Sequence, residues 1–310
     1  MNETRRAVLE AIADYDVSGA DIAERLDVTR AAVWKHVEAL REEGFVIESE
    51  GDGYVLESVP EFGESTVEYG LEAPFEIEYH DSIGSTNDRA REAAGEGAEN
   101  LVVLADEQTG GRGRLDREWA APSGGVWLSA VLRPSMPPAH APLVTLAAAV
   151  ATATAAREAG IDAGIKWPND VLVPTDEGEK KLAGILTEME GEADRVSWVV
   201  VGIGINANID AEELPDTATS IREQVGDVDR RTFTQRVLER LDDLLADEEA
   251  ILDRWRDLAL TLGRRVRVET PDGVVEGKAI DIERPGTLLV DTGTETVRVH
   301  AGDCEHLRAT

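Results

Sequence analysis

The chain has 310 residues, 42% of them hydrophobic, with one cysteine and a formal net charge of −32. That size holds two or three domains with at least one sizeable core. The hydrophobic content excludes a disordered chain, and a lone Cys304 excludes an internal disulfide and suits a reducing compartment.

The N-terminus, MNETRRAVLEAIA, has neither a long apolar core nor a small-residue cleavage site, so no signal peptide is read. The most apolar stretch, Leu143 to Ala156, is shorter than the roughly 20 residues a bilayer requires. A cytoplasmic protein without a membrane partner is expected. Acidic residues run along the whole chain against 26 arginines and five lysines. This resembles proteins of salt-loving cytoplasms, where at ~1 M salt a Debye length of about 3 Å screens self-repulsion. Cooperative unfolding below roughly 0.5 M salt is therefore expected; a melting temperature indifferent to salt would refute a halophilic host.

Residues 1–57 form the first unit. Val8, Leu9 and Ile12 give a helical period. Ser18 is placed to cap a second helix with Ile22, Ala23 and Leu26, and Thr29 a third with Val33, Val37 and Leu40, ended by Gly44. Phe45–Glu48 and Gly53–Leu56 read as strands around a Gly51-Asp52-Gly53 turn. Helix, helix–turn–helix and hairpin make a winged helix-turn-helix. Residues 58–74 are acidic and punctuated by Pro60, Gly63, Gly70 and Pro74, and read as a linker.

Residues 75–262 alternate strands and helices. Strands are predicted at Phe75–His80, Leu101–Ala105, Val126–Leu132, Ile165–Trp167, Leu182–Met189 and Val196–Ile205. Helices are predicted at Thr86–Ala94, Pro142–Ala159 and Thr232–Leu262. Several strands follow one another without a helix, which favours a mixed sheet over a doubly wound one. Residues 263–310 turn to short strands, Val266–Thr270, Val274–Ile282, Thr287–Asp291 and Thr296–His300, and fit a small β-barrel. The whole is an α+β multidomain chain.

Five segments bear on chemistry. Gln108–Trp119 holds three glycines that free backbone N–H groups for an anion and the forked donors Arg112, Arg114 and Arg117. A flexible surface loop has the same look, but here positive charge is concentrated in an acidic chain. Lys166-Trp167-Pro168-Asn169-Asp170 and Lys180-Lys181-Leu182-Ala183-Gly184-Ile185-Leu186 hold three of the five lysines, though a solvated strand entry would also place lysines there. Gly202–Ala207 formally matches GxGxx[GA], but no helical period follows it, so the dinucleotide-binding reading is rejected. Ser85-Thr86-Asn87-Asp88 resembles a capping box, which is compatible with a ligand contact at a helix start. The histidines are scattered, and neither a metal-ligand spacing nor a nucleophile elbow is seen. The chemistry should rest on positioning and electrostatics.

In this order, SIGSTND, EQTGGRGRLDREW, SGGVWLS, IKWPND, KKLAGIL and VVVGIGIN resemble biotin protein ligases, and the N-terminal module resembles the bifunctional ligase and biotin operon repressor type. The resemblance implies a central mixed sheet of the class II aminoacyl-tRNA-synthetase/biotin-ligase kind and an SH3-like C-terminal barrel. It implies ATP with Mg²⁺, biotin as substrate, and a lysine of a biotin carboxyl carrier protein as acceptor. By position, Ser85, Thr86, Asn87 and Gln108 would hold biotin's ureido end, and Arg112, Gly113 and Arg114 would line a loop closing over biotin and phosphate. Lys181 would meet the biotin carboxylate and the α-phosphate, with Gly184 and Leu186 near the bicyclic ring. Lys166, Asn169 and Asp170 would lie by the triphosphate, Asp170 as a Mg²⁺ ligand. Arg117 and Trp119 would join the ATP site, and Asn206 would face the adenine. Many members have glycine where Asp116 stands.

The DNA module carries six basic and 14 acidic residues in 1–57, a net of −8, the wrong sign for phosphate-driven binding. Thr29, Arg30, Trp34, Lys35 and His36 lie where a recognition helix reads bases. DNA operator binding competes with a retained structural or dimer-contact role, and a homodimer through the central sheet is implied by the family alone. Two further readings compete: a lipoate or octanoate ligase of related fold, and a biotin-sensing repressor without ligation.

Overall fold

A computed structural model describes residues 3–14 and 17–307. The N-terminal unit comprises α1 (Glu3–Asp14), β1 (Val17–Ser18), α2 (Gly19–Arg25), α3 (Arg30–Glu42), β2 (Val46–Glu50) and β3 (Gly53–Ser58). Both expected caps form: the Ser18 hydroxyl accepts from the Asp21 amide and that of Thr29 from the Ala32 amide, each at 3.1 Å. Val8, Leu9, Ile12, Ile22, Val33, Val37 and Leu40 close one apolar core beneath the wing. The two-residue β1 adds a third strand to the hairpin, in the order β1-β3-β2.

Residues 58–74 do not behave as a free linker. They contain α4 (Glu64–Glu68), where Ser65, Thr66, Val67 and Glu68 are all buried. Val67, Leu71 and Ala73 join the main core. The helix is too short to show a period in sequence, so its docking was not legible there.

The central domain continues through β4 (Glu76–Ile83), α5 (Thr86–Gly95), β5 (Leu101–Gln108), β6 (Val126–Leu132), α6 (Pro142–Glu158), β7 (Gly164–Lys166), β8 (Asp170–Thr175), β9 (Gly178–Gly191) and β10 (Val196–Ile205). The sheet order is β4-β5-β6-β10-β9-β8-β7, with β4 and β5 parallel and the other pairs antiparallel, so it is mixed. The segment Pro138–Glu158, which contains α6 and is long and apolar enough by length and composition to cross a membrane, is instead mostly buried, with α6 as the central core helix.

Next come α7 (Ile221–Val225), α8 (Arg230–Ala246) and α9 (Glu248–Leu258). The single helix predicted over Thr232–Leu262 is thus two, broken where Asp247 leaves helical geometry at φ −128, ψ 72. The strand β8 was also missed, since its Val-Leu-Val run ends on Pro174.

The C-terminal domain has β11 (Arg265–Thr270), β12 (Gly273–Glu283), β13 (Thr287–Asp291), β14 (Thr296–Val299) and β15 (Asp303–His306), paired as an antiparallel sheet in the order β14-β13-β12-β11-β15. It is fastened to the central domain at Trp167, which is 1% exposed. The Trp167 amide donates to Thr261 Oγ1 and its indole N–H to the Gly286 carbonyl, both at 2.9 Å.

Candidate active site

One face of the large sheet carries a cavity of about 260 Å³. Its polar end is built on the start of α5. Ser85 caps that helix, accepting from the Asp88 amide at 3.3 Å. Gln108, at the end of the neighbouring β5, accepts through Oε1 from the Thr86 amide at 2.8 Å and the Thr86 hydroxyl at 3.0 Å. Fixing Oε1 orients the amide and leaves its NH₂ as the donor for a ligand.

Asn87 lines the same end, but its amide is already engaged. Its Oδ1 accepts from Ser129 at 2.6 Å, and its Nδ2 donates to Glu188 at 2.9 Å and to the Leu186 carbonyl at 3.4 Å. Asn87 therefore braces α5 against β6 and β9. Neither Ser129 nor Glu188 was singled out from sequence. Ser129 did leave a signal: it is the one polar residue in the seven of β6 and is wholly buried.

The cationic end lies across the sheet. β5 and β9 are three strand spacings apart, roughly 14 Å. There the Asp170 carboxylate is gripped by Lys181 at 2.7 Å and Lys166 at 3.3 Å. Asn169, in the β7–β8 turn, donates to the Ile185 carbonyl at 2.9 Å and accepts from Arg114 at 2.8 Å. Asn206 is 2% exposed and braces the end of β10, donating to the Thr219 carbonyl at 3.0 Å and the Lys181 carbonyl at 3.4 Å.

Between the two ends the floor is apolar and flat. Gly184 on β9 and Gly204 on β10 are direct ladder partners. The Trp119 indole lies over both: a Cβ at Gly204 would stand 2.9 Å from its Nε1, and one at Gly184 3.1 Å from its Cζ3. The ring also supports the Lys181 ammonium, 4.9 Å from its centroid. The Trp119 N–H is buried without an acceptor, an unusual state for an indole in a site wall.

The roof is the loop of residues 110–119. Arg112 pairs with Asp88, while Arg114 reaches Asn169 and Gly302. Gly113 donates its amide to the Arg117 carbonyl at 2.8 Å, forming a tight one-turn tip. At that tip Leu115 has φ +58 and is 75% exposed. The side chain of Asp116 lies outside the described residues.

The cavity wall therefore gathers Ser85, Thr86, Asn87, Gln108, Arg112, Gly113, Arg114, Arg117, Trp119, Asn169, Asp170, Lys181, Gly184, Leu186 and Asn206. Lys166, behind Asp170, is not in this wall; with Asp170 and Lys181 it lines a second cavity of about 770 Å³ between the central and C-terminal domains. Cys304 offers no nucleophile: it is 2% exposed, and burial pushes its thiol up to about 12.

On the DNA module, α3 buries Val33, Val37 and Leu40 and turns Arg30, Trp34 and Lys35 to solvent, with Trp34 56% exposed. Trp34 is thus not packed on the wing. Burial, then Arg5 and Lys35, lower the His36 pKa, so this ring is neutral near pH 7 and adds no positive charge. Arg5, Arg6 and Arg41 are tied up in ion pairs, leaving Arg25, Arg30 and Lys35 unpaired among the described residues.

Three family models match the chain: an HTH domain over residues 4–55, the biotin/lipoate A/B protein ligase family over 79–206, and the biotin protein ligase C terminal domain over 261–307. Over 307 residues it is 40% identical to the bifunctional ligase/repressor BirA of Bacillus subtilis (strain 168), covering 93% of each chain. It is 38% identical over 258 residues to the biotin–[acetyl-CoA-carboxylase] ligase of Mycobacterium tuberculosis, covering 73% of this chain and 86% of the relative. The biotin protein ligase from Aquifex aeolicus in complex with biotin and ATP superposes with a TM-score of 0.63 at 29% identity, covering 75% of this chain and 99% of that one.

Proposed function

The chain belongs to the bifunctional biotin ligase/repressor family, and from this premise we propose that its cavity joins biotin to AMP and hands the biotinyl group to a carrier lysine. It is an ATP-dependent biotin protein ligase that carries a repressor's DNA-binding domain.

The carrying observation is the cavity's polarity. A fixed amide donor at Gln108 on β5 shares the cavity with Lys181 on β9, three strand spacings or roughly 14 Å away, and with Arg114 in the roof. That spacing suits a molecule with a polar ring head, a short aliphatic chain and a terminal carboxylate. Gln108, Ser85 and Thr86 take the head, and Asn87 holds their platform. Gly184 and Leu186 pack beside the ring and chain. Arg112 and Gly113 close the roof.

The carboxylate must then approach the α-phosphate, anion against anion. Arg114 and Lys181 neutralise that repulsion and the charge growing in the transition state. The carboxylate oxygen bonds to the α-phosphorus and pyrophosphate leaves. The carrier amine next attacks the carbonyl carbon of the mixed anhydride, and AMP leaves. Lys166 and Asn169 stand on the triphosphate side, with Trp119, Arg117 and Asn206 about the nucleoside. The orphan indole N–H of Trp119 is a donor that the nucleotide can use if the ring shifts. Mg²⁺ would enter with the nucleotide's phosphates beside Asp170 and add to the neutralisation of charge there. Both oxygens of Asp170 are held by ammonium groups, and no cluster of three acidic, His or Cys ligands forms among the described residues.

Arg30, Trp34 and Lys35 form the DNA-reading face. With few free cations, its binding should rest on base contacts and high salt should cost it little. The lone cysteine and the substrates suit the cytoplasm.

Incubating the chain with biotin, MgATP and a carrier domain in molar KCl should give a streptavidin-reactive carrier band that needs all three. No band, with biotin still bound, would leave a sensor without ligation. Selection from a random duplex pool in the same salt should enrich one sequence; no enrichment argues against operator reading.

A further inference from the structure

The roof loop is held from the C-terminal domain as well as from beneath. Arg114 Nη2 donates to the Gly302 carbonyl at 2.9 Å, and Arg117 pairs with the Asp303 carboxylate. The anchor is rigid. Asp303 is the ladder partner of Glu269 on β11, and a Cβ on Gly302 would stand 2.6 Å from the Glu269 carbonyl oxygen. Burial raises the Asp303 carboxyl, but the Arg117 guanidinium outweighs it and holds the pKa below the usual carboxylate range. Arg117 and Asp303 also line both cavities, so their pair forms part of the wall between them. The side chains are 64% and 38% exposed, and an ion pair this open holds loosely. That suits a contact made and broken in each turnover.

We propose that Asp303 is a positioning residue of the ligase: through Arg117 it latches the loop over the mixed anhydride and keeps water out until the carrier lysine arrives. The latch rests on the ligase reading above. Without it, a water oxygen bonds to the anhydride's carbonyl carbon, the bond to the phosphate oxygen breaks, and free biotin and AMP leave with a proton released to solvent.

The test uses the full chain with biotin, MgATP and pyrophosphatase but no carrier, in salt that keeps it folded. It reads the burst of enzyme-bound adenylate and the steady rate of AMP release. Asp303→Asn is expected to keep the burst and raise AMP release about 2–5-fold, the range one exposed ion pair provides. Asp303→Glu, which keeps the charge, should return release to the wild-type rate. A normal burst with unchanged release in Asp303→Asn overturns the latch alone, and a fall of both together overturns it in favour of a folding role. No burst in the wild-type chain overturns the ligase reading and the latch with it.

Discussion

Replacing Lys181 or Arg114 by alanine is expected to lower biotin-dependent ATP–pyrophosphate exchange by about 10²–10³-fold each, the usual cost of one preorganised donor to a charged transition state. Lys181 has a second reason to matter. Its ammonium holds one oxygen of Asp170, whose side chain is only 14% exposed. Removing it takes away a cation and also uncovers a carboxylate beside two incoming anions. Arg114 ties the roof to Asn169 and to Gly302, so its loss should raise the KM for biotin as well as lower kcat. Exchange is measured without a carrier, which separates this step from transfer. Wild-type exchange rates in both variants would remove Lys181 and Arg114 from the reaction.

A single methyl should be almost as damaging on the polar side. In Gly202→Ala the new Cβ would stand 2.1 Å from Asn87 Oδ1 and 2.9 Å from its Cγ. Asn87 cannot step aside, because Ser129 and Glu188 hold the two ends of its amide and it is 7% exposed. The start of α5 must move, carrying Ser85 and Thr86 with it. Overpacking of this kind costs about 1–3 kcal/mol, so biotin affinity by titration calorimetry should fall about 10–100-fold. Gly95→Ala meets nothing within 4 Å and serves as the control with unchanged affinity. Native affinity in Gly202→Ala would show that the Asn87 brace does not set the ligand end.

What could be read from sequence followed a physical rule. β6 and β10 fall on their predicted bounds residue for residue, because long apolar runs between turn signals admit little else. The rejection of a dinucleotide site also agrees with the fold. No α-helix opens directly off β10, since only a 3-10 turn at Ala211–Glu213 precedes α7 at Ile221, and Gly202 and Gly204 make room for Asn87 and Trp119 instead of a pyrophosphate. Elements lacking period or length stayed hidden: α4 has five residues, and β15 has four that are mostly polar. The roof's outer anchor was equally invisible. Asp303 lies 186 positions from Arg117, and nothing local marks one acid among 63. Motifs name the residues that meet a ligand; the residues that hold them in place are found only once the chain is folded.

The docked stretch between wing and sheet changes how the reading head must be pictured. Val59 and Tyr69 pack on the head's core, and Arg6 in α1 donates to the Leu71 carbonyl at 3.1 Å. On the body side, Gln235 in α8 donates to the carbonyls of Val67 and Tyr69 at 2.7 and 2.8 Å, and Arg230 pairs with Glu61. The head is mounted like a bracket, not hung on a leash. Inserting or deleting a residue in this strap would re-aim the recognition helix rather than lengthen its reach.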